Sequence, residues 1–109
     1  MDWTHLCEET VGHDSQLDGI HYDPVAAQLV LRLQSYLERD SSDRHPVTII
    51  FMDVTSVVTH FDGSILADNR SAGNVNFWQM HEDVGTSTIS LFGGYISITS
   101  AKSPEFQRG

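Results

Sequence analysis

Two alternating runs constrain this chain most: Thr88-Ile89-Ser90-Leu91-Phe92, and Tyr95-Ile96-Ser97-Ile98-Thr99 across Gly93-Gly94. β-Branched and aromatic residues spaced two apart on either side of a glycine pair specify a β-hairpin. A two-residue loop at Gly93-Gly94 sets Phe92 opposite Tyr95, Leu91 opposite Ile96 and Ile89 opposite Ile98. Leu91, Ile89, Ile96 and Ile98 then share one face, and the hydroxyls share the other with Phe92 and Tyr95. Positive φ is expected within the glycine pair. No Lys follows it and no helix begins there, so it is not a phosphate-binding loop.

A hairpin needs further strands to bury its apolar face. After Pro46 the chain runs Val-Thr-Ile-Ile-Phe-Met-Asp-Val-Thr-Ser-Val-Val-Thr-His-Phe to Phe61, with no Gly or Pro inside. That composition predicts one long strand or two. Val47, Ile49 and Phe51 take one face, but the phase breaks at Asp53-Val54, where a bulge or bend would let the chain change sheets. Residues 74–80 read as another strand, carrying Phe77 and Trp78. Residues 24–37 are ambiguous. Ala26, Leu29, Val30, Leu33, Tyr36 and Leu37 follow helical spacing behind an Asp23-Pro24 cap. Leu29, Leu31 and Leu33 alternate as in a strand, and Leu31 fits only that period. A hairpin turning at Asp23-Pro24, with Leu17 to Tyr22 as its first strand, is the preferred reading.

These elements predict a mainly β fold: an antiparallel sheet folded as a small sandwich or partly open barrel, with at most one or two short helices. At 109 residues the chain has length for a single domain, which buries roughly two-thirds of its unfolded surface. The expected organisation of this 1–109 domain is a lead-in over 1–12, a β core over 13–101 and a flexible tail over 102–109.

Charge narrows the function. Six Lys and Arg stand against fifteen Asp and Glu, a formal charge of −9, which opposes the counterion release that drives nucleic-acid binding. No nucleic-acid partner is expected. Met1 to Asp23 holds six acids and no Lys or Arg, which serves solubility or a basic partner. Cys7 is the only cysteine, so no intrachain disulfide forms, and no Lys or Arg lies near it in sequence to activate the thiol. The start lacks the basic and apolar regions of a signal peptide, and no run approaches the roughly 20 apolar residues of a membrane span. A cytoplasmic location without membrane partners is the expectation.

Histidines beside carboxylates, at His13-Asp14, His21-Tyr22-Asp23, His60-Phe61-Asp62 and His81-Glu82-Asp83, raise the possibility of metal or small-ligand binding. None has a specific ligand spacing, and no cofactor is expected. No Gly-x-Ser-x-Gly elbow is present, and a pair such as Asp53 and Asp62 has no distance that sequence can supply. A noncatalytic role is therefore expected. The aromatic pairs are more informative. Phe77-Trp78 and Phe92/Tyr95 place bulky side chains on both faces of their strands, so one of each set is exposed unless both sheet faces are covered. Phe77, Trp78, Phe92 and Tyr95 are the candidate partner surface, for another protein or for self-association.

The opening His13-Asp14-Ser15, the strand-turn-strand through Leu33 and the central Phe51-Met52-Asp53-Val54 together resemble small uncharacterised bacterial β-proteins. Some of these are grouped with immunity proteins of toxin systems. The resemblance covers residues 13 to 100 and implies fold more than function; its motifs carry no known chemistry, and it transfers no catalytic residues. The leading expectation is a bacterial protein-binding module, immunity-like or accessory. The alternatives are a small-ligand or metal-binding β-domain and a structural homodimer.

Overall fold

The computed structural model describes residues 15–35, 45–61, 75–81 and 83–108. These form eight strands: β1 (Gln16–Asp23), β2 (Gln28–Ser35), β3 (His45–Phe51), β4 (Val54–Phe61), β5 (Val75–Gln79), β6 (Gly85–Leu91), β7 (Gly94–Ser100) and β8 (Glu105–Arg108). Two antiparallel four-stranded sheets result, ordered β1-β2-β3-β8 and β4-β7-β6-β5. The fold is mainly β and matches a small sandwich; among the described residues there is no helix. The lead-in, His13-Asp14 and the segments 36–44 and 62–74 lie outside the described residues.

The 24–37 ambiguity resolves as a hairpin. Asp23 pairs with Gln28, and Leu29, Leu31 and Leu33 are all fully or nearly fully buried, as the strand period requires. The turn between them is built by Asp23, whose Oδ1 accepts hydrogen bonds from the N–H groups of Val25 and Ala26 at 3.0 and 3.1 Å. A break in β1 between Leu17 and Gly19 rephases that strand. Ile20 and Tyr22 therefore stand opposite Leu31 and Leu29.

The expected irregularity at Asp53 is where the chain leaves one sheet for the other. Val47, Ile49 and Phe51 point into the core from β3. Asp53 then takes φ 54°, and β4 begins at Val54 in the second sheet. Short hydrogen bonds fix the crossing: Val54 N–H donates to Ala27 C=O at 2.9 Å, and Ala101 N–H donates to Asp53 C=O at 3.0 Å. The inner faces meet in one core, in which Leu29, Leu31, Leu33, Val47, Ile49 and Phe51 face Val75, Trp78, Ile89, Leu91, Ile96 and Ile98.

At the end of that core Ser15 and Ser35, both buried, hydrogen-bond through their hydroxyls at 2.8 Å. Removing one partner strands the other without water. Ser35→Ala should therefore cost about 1–3 kcal/mol, whereas the Ser15→Ala/Ser35→Ala double variant should recover most of that loss. Urea unfolding of the three variants checks the non-additivity.

The hairpin differs from expectation in register. Its loop is Phe92-Gly93, and the pairs are Leu91 with Gly94, Ser90 with Tyr95, and Ile89 with Ile96. Moving a two-residue loop by one position shifts every pairing by two residues, so each side chain keeps its face. Leu91, Ile89, Ile96 and Ile98 remain on the core side. Gly94 has no positive φ; a Cβ there would instead lie 2.0 Å from the His60 carbonyl oxygen. Glycine is required at this position for close approach to β4.

The expected flexible tail is also corrected. Residues 105–108 form β8 on the free side of β3, with Ile49 opposite Phe106 and Val47 opposite Arg108. The Phe106 ring meets Trp78 edge-on at 6.1 Å, so the last strand of the first sheet touches the edge strand of the second.

Candidate functional site

The outward positions of β4, β7, β6 and β5 follow from the register. One row across the sheet runs His60, Tyr95, Ser90; the next runs Val58, Ser97, Thr88, Gln79; a third runs Ser56, Thr99, Thr86. Neighbours within a row are set about 4.8 Å apart by the strand spacing. Tyr95 stacks on the His60 ring, with centroids 5.9 Å apart and planes at 30°. Phe92 stands in the adjoining turn, 55% exposed, and Val58 and Tyr95 are 48% and 42% exposed. The aromatic end therefore offers apolar area with phenol and imidazole polar tips.

Away from the rings the face is a lattice of hydroxyls. Thr86 and Thr99 hydrogen-bond through Oγ1 at 2.9 Å, and Thr55 Oγ1 donates to the Thr99 C=O at 3.3 Å. None of the four strands of this sheet contains Asp, Glu, Lys or Arg. The other sheet's strands carry Asp18, Asp23, Arg32, Glu105 and Arg108. Past the strand ends opposite the rings, Lys102 pairs with Asp53 at 3.2 Å. Such an exposed pair contributes little stability.

Of the four aromatic candidates, Tyr95 lies on this face and Phe92 is exposed in the turn that adjoins it. Trp78 does not belong to it. It is 1% exposed and stands opposite Ile89 on the core side, because β5 is irregular between Val75 and Phe77 and both Val75 and Trp78 end up inward. Phe77 pairs with Ser90 in the backbone register, and its side chain lies outside the described residues. Val58 and His60 were not among the partner-surface candidates, although His60 was named with Asp62 for metal or small-ligand binding. Their signal was the uncharged character of 54–61, but their placement beside Tyr95 depends on a pairing distant in sequence.

His21, His60 and His81 are exposed. Among the described residues no three His, Cys, Asp or Glu side chains are grouped so as to hold a metal ion. No helix among them is long and apolar enough to cross a membrane. Comparison of the chain with protein-family models, with curated proteins and with solved structures finds no match.

Proposed function

We infer that this chain is a noncatalytic protein-binding module whose partner docks on the outer face of the β4-β7-β6-β5 sheet. The observation that supports the reading is the charge-free character of that sheet in a chain of net charge −9, together with the exposed Val58, Phe92 and Tyr95. Interface centres are depleted of charge and enriched in aromatics, because an unpaired charge is costly to dehydrate while a ring gives large contact area. Hydroxyls around a tyrosine add adaptable hydrogen bonding at low entropic cost. The acidic remainder of the molecule suits a partner with basic groups around its contact surface, which speeds encounter. An immunity-type accessory role, as in some of the proteins that residues 13 to 100 resemble, is one form of this function.

Affinity capture from native lysate, followed by mass spectrometry, tests it with paired baits. The wild-type chain should retain a stoichiometric partner. Tyr95→Ala should weaken that complex about tenfold or more while leaving the thermal unfolding midpoint nearly unchanged, since the ring is 42% exposed. A partner held equally by wild type, Tyr95→Ala and Val58→Glu would place the contact elsewhere and reject this face.

A further inference from the structure

We propose that the edge of β4, which no described strand covers, pairs antiparallel with β4 of a second copy of this chain, joining the two uncharged sheets into one continuous sheet. An edge strand leaves alternate backbone N–H and C=O groups without partners and templates a further strand unless some feature prevents it. Among the described strands the edges are β1, β8, β4 and β5. β1 is irregular at Leu17/Gly19 and carries Asp18 and Asp23. β8 has four residues, including Glu105 and Arg108, and β5 has five with a break at Val75/Phe77. β4 has a break of its own, between Val54 and Ser56, but differs from all three in the uncharged length that follows it. It has eight residues with no charge and no proline, and it pairs regularly with β7 from Ser56 to Phe61.

Exposure along β4 is consistent with an open edge. Ser56, Val58 and His60 are exposed on the outer face, and Thr59 is exposed on the inner one. Thr59 stands opposite Ile96, which is fully buried. The inner side of the sheet is thus covered at β7 and open at Thr59 one strand further out. Among the described residues no strand pairs with the far side of β4.

Two considerations select a second copy as the occupant. The first is charge. Each copy carries −9, and joining through β4 brings together strands that hold none of it, leaving the charged sheets outside. Salt screens the remaining repulsion over about 8 Å. The second is self-complementarity. A two-fold axis normal to the sheet pairs residues that lie on the same face. With Thr59 on the axis, Thr59 meets its own copy, Val57 stands opposite Phe61 of the second copy on the inner face, and Val58 stands opposite His60 on the outer. Val57 and Phe61 are half-buried at the margin of the core, so this register covers both, twice over. Threonine pairs across strands are themselves favourable.

Sedimentation equilibrium of the full chain should show a concentration-dependent dimer. Thr59→Lys sets two ammonium groups against each other on the axis and should raise the dimer Kd at least tenfold, with circular dichroism and thermal midpoint retained. Ile20→Lys, on the β1 edge, should leave the dimer intact. The register is read separately in a Cys7→Ser background, which also serves if Thr59→Lys fails to fold. Thr59→Cys should then oxidise to a covalent dimer, since facing strand positions fall within the roughly 4.4–6.8 Å Cα separation a disulfide tolerates; Val58→Cys should not. A chain that stays monomeric at its highest soluble concentration overturns the proposal. So does a dimer indifferent to Thr59→Lys, or one cross-linked through Val58→Cys but not Thr59→Cys. None of these outcomes touches the outer-face reading, which is tested by Tyr95→Ala.

Discussion

Trp78→Ala should lower the unfolding free energy by about 3–5 kcal/mol. The side chain is 1% exposed and the largest of the fully buried ones. It lies on the inner side of β5, opposite Ile89, and meets Phe106 of β8. Truncation therefore leaves a cavity where the free edge of one sheet contacts the last strand of the other. Val75, at the other end of this five-residue edge strand, is also fully buried and holds the backbone in place, so the surroundings should collapse only partly. For a domain whose total stability is of order 5–15 kcal/mol, the variant should be marginal at room temperature. Urea unfolding followed by far-ultraviolet circular dichroism measures the loss. A change below about 1 kcal/mol would mean that Trp78 is not buried in solution.

Gly94→Ala should be destabilising by about 3 kcal/mol, from a single methyl group. The added Cβ would sit 2.0 Å from the His60 carbonyl oxygen and 3.1 Å from the Phe61 Cα. Both are backbone atoms of β4, so no side chain can rotate away to make room. β7 must separate from β4 where the second sheet is closing, and the Phe61–Gly94 pair at that end should be lost. The same chemical change at Gly19, where a Cβ meets nothing within 4 Å, is the control and should be nearly silent. Comparing the two by thermal unfolding separates close backbone approach from the general entropic effect of replacing glycine.

Gly94 also shows how far sequence reasoning reaches. Alternation from Thr88 to Thr99 assigns every core residue of the hairpin correctly, because a face depends only on odd or even position. Which residues form the loop depends on β4, whose backbone at His60, more than thirty positions earlier in the chain, excludes any side chain at 94. The same limit governs Trp78 and Phe77. Alternation alone cannot choose between them, since the break after Val75 decides which ring turns inward, and it leaves no mark in residue identity. Residues 105–108 offer one apolar side chain in four, too little to predict a strand; β8 exists because β3 presents an edge to it. The change of sheet at Asp53 was legible, since the apolar phase fails there. The uncharged face was likewise open to reading in the residues of 85–100, but its union with Val58 and His60 required the β4–β7 pairing.

The position of β8 bears on how the chain is made. β1, β2 and β3 follow one another and can pair as they emerge, and β6 and β7 can do the same. The far side of β3, however, waits for residues 105–108, which come after every strand of the other sheet. Throughout synthesis of residues 52–104, the run Val47-Thr48-Ile49-Ile50-Phe51 therefore keeps an unpaired flank. An apolar strand with an open edge is a site of wrongful association. The nascent chain is vulnerable there until the four-residue β8 arrives.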